Sequence, residues 1–404
     1  MSSVFSEIPG GINAPAGFLS GSAYCGVKAA NLDRPDIAMI RSEHPAVAAG
    51  TFTTNRVKAA PVRVSAAHLR GGDVRVIVAN AGNANACTGV PGIENAKRMA
   101  RAAAQALGLK DRQVLVCSTG RIGVQLPIEK MEHTIGALCH ALDPEGSAAA
   151  ADAIMTSDTI RKEVAVEVQL SSGSVRIGGI AKGAGMIDPN MATMLCFLTT
   201  DALIEKAELQ HALSVSVEHS FNRITVDGDM STNDTVLMLA NGVAGNPALR
   251  PGTEDFDRFQ RGLDHVTLAL AKMIVDDGEG VTKFVEVHVN GAASFTDARR
   301  ACEAIAKSCL VKCAWFGCDP NWGRIMDALG YCGIRMREEL VDIYYEGVLA
   351  VKGGLASETP FETLKKLVSA ERFRVTVDLH LGSAEYNVFT TDLSTEYVVL
   401  NMGE

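Results

Sequence analysis

Two short stretches of this sequence have residue types that could hold an anionic oxygen or let a ligand approach the backbone. The stretch CSTGRIG places Thr119 and Gly120 directly after an apolar run, where a short hydroxyl and a glycine N–H can both point at one anionic oxygen. The stretch DGEG places Glu279 between two glycines, where a ligand can come close to the backbone. Each also has a purely structural explanation, a common turn for the first and the end of a helix for the second, so neither identifies a site alone.

A third stretch, KGAGMIDPNMATMLCFLTTD, combines Lys182 and two glycines with a threonine, Thr193, inside an apolar run. A phosphate-binding loop is excluded, because the spacing GxxxxGK[ST] is missing and Lys182 precedes the glycines. The run is short and apolar, which predicts a buried strand. A threonine in such a strand usually serves only as a β-branched residue whose hydroxyl bonds to the backbone, so Thr193 alone does not indicate catalysis.

A fourth stretch, MTSDT, groups four hydroxyl or carboxylate side chains around Thr156. The structural explanation is a helix cap that uses Ser157 or Asp158, because short polar side chains commonly bond to nearby backbone groups. This stretch is therefore a candidate site only in combination with the other three.

Cysteine and histidine usage argues against a disulfide framework and against a metal centre. The ten cysteines lie far apart with no CxxC, and the nine histidines are dispersed with no HExxH. Disulfide frameworks are typical of short secreted chains, unlike this one of 404 residues. We therefore expect reduced thiols and no metal site.

The composition predicts a globular protein that binds neither nucleic acid nor membranes. With 404 residues, 47% of them hydrophobic, the chain is long enough for two or three domains with a sizeable core. The formal net charge is −9 and the basic residues are scattered singly, which leaves no basic stripe for a phosphate backbone. The N-terminal residues lack the features of a signal peptide, and no window of 18 apolar residues follows, so we expect a cytoplasmic location.

The elements that must position the candidate residues are both strands and helices. Apolar runs predict strands at 74–79 and 114–117, each followed by a turn. The alanine-rich segment 94–107 predicts a helix that ends at Gly108. Apolar residues at helical spacing predict further helices at 209–221 and 259–274, and Thr253 is the candidate N-cap of the second.

The period of the apolar pattern changes in the last 120 or so residues. FVEVHVNG alternates apolar and polar residues and ends in Asn-Gly, which predicts a one-sided strand and a turn, and residues 373–381 alternate in the same way. This region is therefore expected to form a separate layer. Mixed helices and strands without regular βα units predict a layered α/β sandwich and not a Rossmann sheet.

Six motifs, taken together and in order, resemble the ornithine acetyltransferase (glutamate N-acetyltransferase) family of arginine biosynthesis. They are STGRIG, IMTSDT, AKGAGMIDPNMATML, DGDMSTNDT, DGEG and CDPNWGRI, and the resemblance runs from GGINAPAGF to about Asn401. In that family the chain is a precursor that cuts itself before the threonine of MATML, which here places the cut between Ala192 and Thr193. The resemblance implies an αββα-type sandwich of the N-terminal-nucleophile type with a smaller C-terminal α/β domain.

The resemblance also implies how the chain is divided and assembled. Residues 1–192 would form an α chain with the oxyanion turn and the substrate loops. Residues 193–280 would begin the β chain and complete the catalytic sandwich, and residues 281–404 would form the C-terminal α/β domain. Two such α–β pairs would associate as an α2β2 heterotetramer.

The implied chemistry agrees with the residue types. A threonine hydroxyl is a weak nucleophile that needs a nearby base, and the α-amine freed by cleavage at Thr193 is a base with an ordinary pKa of about 8. Before cleavage the same hydroxyl would attack the Ala192 carbonyl in an N-to-O acyl shift, and water would hydrolyse the ester. By the motifs, the oxyanion would be held by Thr119 (hydroxyl) and Gly120 (N–H). The implied substrate-binding residues are Thr156, Lys182, Thr193, Glu279 and Asn401.

The implied reaction moves an acetyl group from N-acetylornithine to glutamate through an acetyl-enzyme, in the cyclic pathway of arginine biosynthesis. No cofactor is required, and acetyl-CoA as a second donor is left open. The first alternative is an amidase or aminopeptidase with the same nucleophile, in which water takes the acyl group. The second is an uncleaved binding protein, which loss of Thr193 or of its neighbouring glycines would indicate; neither is lost.

Three features depart from the family pattern. Family members commonly continue past the binding asparagine to a hydroxyl residue that also contacts substrate, whereas this sequence reads LNMGE after Val399. The position after STG is usually apolar and is Arg121 here, and the segment before CDPNWGRI reads KSCLVKCA, with extra cysteines. The last two differences are expected to bear on substrate preference more than on fold or self-cleavage.

Overall fold

The structure is a computed structural model that describes residues 4–28, 34–188 and 194–402. The predicted cleavage site, Ala192–Thr193, lies outside the described residues. The described chain forms two compact units. The first comprises 4–183, 194–222 and 230–274, and the second comprises 184–188, 223–229 and 275–402. The predicted fragment and domain boundaries at 192 and 280 remain predictions.

The strands of the described residues form three sheets. In chain order they are β1 (Phe5–Ile8), β2 (Phe18–Ala23), β3 (Ile37–Ser42), β4 (Val47–Phe52), β5 (Val76–Asn83), β6 (Val114–Arg121), β7 (Lys162–Leu170), β8 (Gly173–Lys182), β9 (Leu195–Thr200), β10 (Thr235–Ala240), β11 (Phe284–Ala292), β12 (Asp342–Tyr345), β13 (Val348–Lys352), β14 (Leu355–Ala356), β15 (Arg372–Asp378) and β16 (Ala384–Thr391).

The α-helices of the described residues lie between these strands. They are α1 (Ala60–Leu69), α2 (Gly89–Leu107), α3 (Ile128–Leu138), α4 (Ser147–Ile154), α5 (Lys206–Glu218), α6 (Glu254–Asp276), α7 (Phe295–Lys307), α8 (Cys309–Phe316), α9 (Trp322–Tyr331), α10 (Phe361–Val368) and α11 (Thr395–Leu400). None of them is long and apolar enough to cross a membrane.

Single residues determine where two of the helices end or begin, as predicted from the sequence. Helix α2 ends at Gly108, which adopts the left-handed conformation (φ +66°) that glycine reaches without a steric penalty. Helix α6 begins after Thr253, whose hydroxyl oxygen accepts a hydrogen bond from the Phe256 N–H at 3.3 Å. Helix α2 begins five residues earlier than predicted, because its first turn includes two glycines and a proline that carry no apolar periodicity.

The first unit is a layered sandwich of two sheets. A six-stranded sheet has the order β1-β7-β8-β9-β10-β4, and a four-stranded sheet has the order β2-β3-β5-β6. Buried side chains from both sheets form one core, among them Ile77 and Leu115 from the smaller sheet and Phe197 and Leu237 from the larger. The sheets therefore pack face to face, and α4 contributes Ile154 to the same core.

Helices cover both outer faces of this sandwich. Residues that alternate with the inner ones along β5, such as Val78, pack with Met99 of α2 and Met131 of α3. On the other side, α6 packs closely on β8: a Cβ on Gly179 would lie 2.9 Å from the Leu270 side chain and 3.3 Å from that of Val266. The layers run helix, sheet, sheet, helix, so the predicted αββα-type mixed fold is confirmed.

Strand β9 occupies the middle of the six-stranded sheet. It pairs antiparallel with β8, where Lys182 lies opposite Leu195, and parallel with β10, where Leu195 lies opposite Thr235. All its residues are buried, in agreement with the predicted buried strand. The start of β9 is therefore bordered by the end of β8 and the start of β10.

The second unit is built on a six-stranded sheet with the order β14-β13-β12-β15-β11-β16. Val287 of β11 and Val375 of β15 are among the alternating residues buried against the helices, which confirms the predicted one-sided strands. The predicted turn at Asn290-Gly291 is wrong. These residues lie inside β11, where the pairing with β16 shifts register and Gly291 has φ +64°, so Asn-Gly here forms a bulge.

Candidate active site

Thr119 and Gly120 lie at the end of β6, which is four residues longer than predicted. They are therefore the last part of a strand and not the turn after it. Thr119 is buried and pairs with Ala81 of β5, whereas Gly120 is exposed. Gly120 has φ +128°, and a Cβ there would overlap the backbone of Gly82, so only glycine fits this position.

Lys182 brings three of the predicted site residues together. It is the last residue of β8, and its side chain is 3% exposed. Its ammonium group donates to the Thr156 hydroxyl oxygen at 2.8 Å and lies 3.5 Å from the Thr119 hydroxyl oxygen. Because both hydroxyl oxygens accept from the lysine, their own protons are available to donate to another acceptor.

Asp158 organises the same region. Its Oδ1 accepts from the Lys162 ammonium at 2.8 Å and from the Gly183 N–H at 2.6 Å, and its Oδ2 accepts from the Thr156 N–H at 3.0 Å. Burial alone would raise the pKa of this carboxyl, but Lys182 and Lys162 hold that pKa well below its usual range. We call Thr119, Thr156, Asp158, Lys162 and Lys182 the lysine cluster.

The helix cap predicted at Ser157 or Asp158 is wrong, because no helix begins there and the next element is β7. From the sequence, Asp158 is a candidate only for a helix cap, and Lys162 is not a candidate at all. A usable signal was present: two opposite charges stand four residues apart at the entrance to an apolar strand, where burial requires a partner for each.

Asn233 and Asp234 border the position that follows Thr193. The Asn233 side-chain amide donates to the Ala84 carbonyl at 2.7 Å and to the Ser118 carbonyl at 2.8 Å. The Asp234 carboxylate accepts from the Met194 N–H at 3.2 Å. These bonds tie the start of β10 to the end of β6 and to the first described residue after the predicted nucleophile.

Glu279 and Asn401 meet in the second unit. The Asn401 amide donates to Glu279 Oε2 at 2.9 Å and to the Tyr397 carbonyl at 2.9 Å. The Glu279 N–H donates to the Ala184 carbonyl at 3.0 Å. A Cβ on Gly185 would lie 2.5 Å from the Glu279 carboxyl carbon, so the glycine leaves room for this carboxylate.

The segment 184–188, which precedes the predicted cleavage site, is bonded to other residues of the second unit. The Asp227 carboxylate accepts from the N–H groups of Met186 at 2.6 Å and Ile187 at 2.9 Å, and from the Tyr397 hydroxyl at 3.3 Å. Met186 has φ +57°, an unusual conformation that these bonds hold. We call Gly185, Asp227, Glu279, Tyr397 and Asn401 the glutamate cluster.

Asp188 is the last described residue before the predicted cleavage site. Its carboxylate lies 2.7 Å from the Lys307 ammonium and accepts from the Thr225 hydroxyl at 3.3 Å. Burial raises the pKa of this carboxyl to about 6 in spite of the lysine.

The predicted site residues thus fall into two groups. Thr119, Gly120, Thr156 and Lys182 belong to the first unit, and Glu279 and Asn401 belong to the second. Thr193 and Ala192 lie outside the described residues. Among the described residues, no group of three or more His, Cys, Asp or Glu side chains is arranged to hold a metal ion.

Comparison with known proteins identifies the family. Residues 20–403 match the ArgJ family. The arginine biosynthesis bifunctional protein ArgJ of Symbiobacterium thermophilum is 45% identical over 98% of both chains, and the glutamate N-acetyltransferase of Methanocaldococcus jannaschii is 46% identical over 98% of both. A crystal structure of the arginine biosynthesis bifunctional protein argJ from Bacillus halodurans is 40% identical with a TM-score of 0.50, and it covers 52% of this chain and 98% of its own. The resemblance seen in the motifs is confirmed, and this chain is an enzyme of the ArgJ family.

Proposed function

We propose that this enzyme transfers an acetyl group from N-acetylornithine to glutamate in arginine biosynthesis, through an acetyl-enzyme on Thr193. The observation that carries the proposal is the convergence of Lys182, Thr156 and Thr119 at the edge of β9 in a chain of this family. A buried ammonium group with two hydroxyls suits the negative charge that develops during acyl transfer.

The nucleophile is generated by self-cleavage between Ala192 and Thr193. Residue 193 stands two positions before β9, and the Asp234 carboxylate holds the next residue, Met194, through its N–H. The solved Bacillus halodurans chain aligns over 98% of its own length with 52% of this chain. That chain is therefore about half as long as this one, as expected of a fragment of a precursor that is cut near its middle.

The transfer proceeds in two half-reactions. The Thr193 hydroxyl attacks the acetyl carbonyl of N-acetylornithine, and the α-amine of Thr193 accepts the hydroxyl proton. Collapse of the tetrahedral intermediate breaks the C–N bond, and the departing amine of ornithine takes up the proton. The amine of glutamate then attacks the ester on Thr193, and the threonine leaves with its proton restored.

Both half-reactions develop a negative oxygen, which the Thr119 hydroxyl and the Gly120 N–H are proposed to hold. The exposure of Gly120 supports this assignment, and so does the Lys182 ammonium, which donates to the Thr119 hydroxyl oxygen and leaves the hydroxyl proton for another acceptor. Losing one such donor typically raises the barrier by about 3 to 4 kcal/mol.

Charge chemistry supports the proposed substrate contacts. Lys182 and Thr156 suit the carboxylate of an acylated amino acid, and Glu279 with Asn401 suits its ammonium group. No cofactor takes part, and acetyl-CoA is a candidate second donor. The proposal extends to an α2β2 assembly of the two fragments in the cytoplasm.

One experiment tests cleavage and transfer together. Intact-mass measurement of the purified protein should show two fragments, the second beginning at Thr193, and the same sample should form N-acetylglutamate from N-acetylornithine and glutamate. Release of free acetate without N-acetylglutamate would instead support the amidase alternative. A single full-length species that persists in folded protein, or a new N-terminus elsewhere, would contradict the mechanism.

A further inference from the structure

Asp158 contacts three other members of the lysine cluster, namely Thr156, Lys162 and Lys182. The sequence motifs assign it no role in the site. Its side chain is fully buried, and both carboxylate oxygens accept hydrogen bonds from backbone or lysine N–H groups. The Lys182 ammonium lies 3.8 Å from Oδ2. One carboxylate therefore contacts the backbone of Thr156, the backbone of Gly183 and the charged end of Lys182.

The pairing of β7 with β8 explains why two lysines reach this carboxylate. Lys162 is the first residue of β7 and lies opposite Ala181, so Lys162 and Lys182 leave neighbouring strands at the same end of the sheet. Asp158 stands in the loop just before β7 and lies within reach of both. The carboxylate thus joins three segments of chain at the edge of the site.

Several lysine side chains lie near Asp158, so the negative charge of this carboxylate affects whether those lysines are protonated. Charged groups near Lys182 and Asp158 include Lys162 from β7 and Lys28 from the segment after β2, and Asp36 and Arg34 act on Lys28 in turn. Burial lowers the pKa of Lys28 to about 8, and the charge of Lys182 adds to that effect. A buried ammonium group keeps its proton only where an opposite charge offsets desolvation.

We propose that Asp158 is a positioning residue for acetyl transfer, which holds Lys182 as an ammonium ion against Thr119 and Thr156. Lys162 neutralises Asp158 and fixes its orientation. The inference rests on the proposed function of the same site, because it concerns how the Lys182 ammonium group is kept charged and in place to bind substrate.

The test is Asp158→Asn, which keeps the shape and removes the charge. Self-cleavage and thermal stability are checked first, and kcat and KM for N-acetylornithine are then measured between about pH 6 and pH 10, the range in which a perturbed lysine titrates. We expect KM to rise at least about tenfold, equivalent to about 1.4 kcal/mol. We also expect the alkaline limit of kcat/KM to move to lower pH, because Lys182 loses the charge that favours its protonated form.

A second variant covers the case in which Asp158→Asn does not fold. The single substitution leaves two buried lysines with no carboxylate between them, whereas Asp158→Asn combined with Lys162→Met removes one charge of each sign. The double variant should show an alkaline shift in the same direction but smaller, because removing Lys162 also removes a positive charge that disfavours protonated Lys182. The matched control is Asp152→Asn, which breaks an exposed ion pair with Arg161 in the same region and should leave the pH profile unchanged.

The outcomes separate this inference from the proposed function. Wild-type enzyme that transfers no acetyl group contradicts both. Wild-type transfer with an unshifted pH profile and an unchanged KM in the Asp158 variants contradicts only the role of Asp158. Loss of activity that merely follows the unfolded fraction, with the profile of the remaining enzyme unchanged, also contradicts it.

Discussion

The lysine cluster and the glutamate cluster differ in burial and in the elements that carry them. The lysine cluster stands at the ends of strands, with the Lys182 side chain 3% exposed and Asp158 fully buried. The glutamate cluster combines loop residues with the C-terminal helix α11, and in it Glu279 is half-buried and Asn401 is exposed. Because water screens exposed charges far more than buried ones, we expect the loss of a contact in the first cluster to reduce kcat/KM more than the loss of a contact in the second.

The two units also contain buried aspartates whose pKa values shift in opposite directions. Asp158 faces two lysines and a backbone N–H, and its pKa lies well below the usual range. Asp188 lies against Lys307 and a threonine hydroxyl, and burial raises its pKa to about 6. Lys307 at 2.7 Å thus does not offset burial at Asp188, where the Glu303 carboxylate also raises the pKa, whereas two lysines with a backbone donor do so at Asp158.

The largest effect should come from Thr193→Ala, which removes the proposed nucleophile. The variant should remain one chain and lose acetyl transfer by at least about 10⁴-fold, as expected when a covalent nucleophile is removed. Intact mass and the exchange assay measure the two losses. Thr199→Ala is the matched control: it removes a buried hydroxyl from β9 that bonds to Ile12, so it should cost about 1 kcal/mol of stability while cleavage and transfer persist.

Thr119→Ala should have the next largest effect, on kcat. Removing one oxyanion donor is expected to lower kcat about 10²- to 10³-fold with little change in KM, because the lost bond forms only in the transition state. Thr119→Ser keeps the hydroxyl and should recover most of the rate. If the alanine variant instead raises KM and keeps kcat, Thr119 acts in substrate affinity and its proposed role as an oxyanion donor is wrong.

Glu279→Gln should have a smaller effect, on affinity. Loss of a partly solvated charge contact with the substrate ammonium group is expected to raise KM for N-acetylornithine about tenfold and to change kcat less. Glu396→Gln, on the exposed side of α11, is the control and should leave both constants unchanged. A fall in kcat as large as that of Thr119→Ala would remove the distinction between the clusters.

The smallest effect should be that of Asp188 on how the free energy of unfolding depends on pH. Asp188 has a folded-state pKa of about 6, against about 3.9 when unfolded, so the folded protein binds this proton more tightly. This group therefore adds stability as the pH falls through 6 toward 4 and removes it as the pH rises. Asp188→Asn should change the difference in free energy of unfolding between about pH 7.5 and pH 4.5 by about 1 to 2 kcal/mol.

Urea titration at the two pH values measures that difference. Asp327→Asn, an exposed position on α9, should show the pH dependence of the wild type. An unchanged pH dependence in Asp188→Asn would mean that Asp188 keeps an ordinary pKa and that the contrast with Asp158 is absent.

Local patterns were sufficient to predict much of the fold. The end of α2 depends on one glycine, the start of α6 depends on one threonine hydroxyl, and the alternation in β11 and β15 depends on one buried face. Each of these is a short-range property of the chain. The order of motifs along the sequence was likewise sufficient to predict the family.

Features that depend on pairing between distant segments were not predictable in the same way. The role of Asp158 requires β7 and β8 to place Lys162 opposite Ala181, and a sequence pattern does not state this register. The extension of β6 to Thr119 depends on its neighbour β5, and the bulge at Asn290-Gly291 depends on β16. In each case tertiary pairing overrides the local preference for a turn.

The central position of β9 determines what a cut before it would leave behind. Strands β1, β7, β8 and β4 would belong to one polypeptide and β9 and β10 to the other, and the shared sheet would alternate between them: first chain, second chain, first chain. The second chain would be hydrogen-bonded on both sides by the first, so the fragments could separate only by unfolding. Self-cleavage would thus turn a unimolecular folding reaction into a bimolecular one: the precursor refolds at a rate independent of concentration, whereas the mature enzyme, once denatured, must find its partner again.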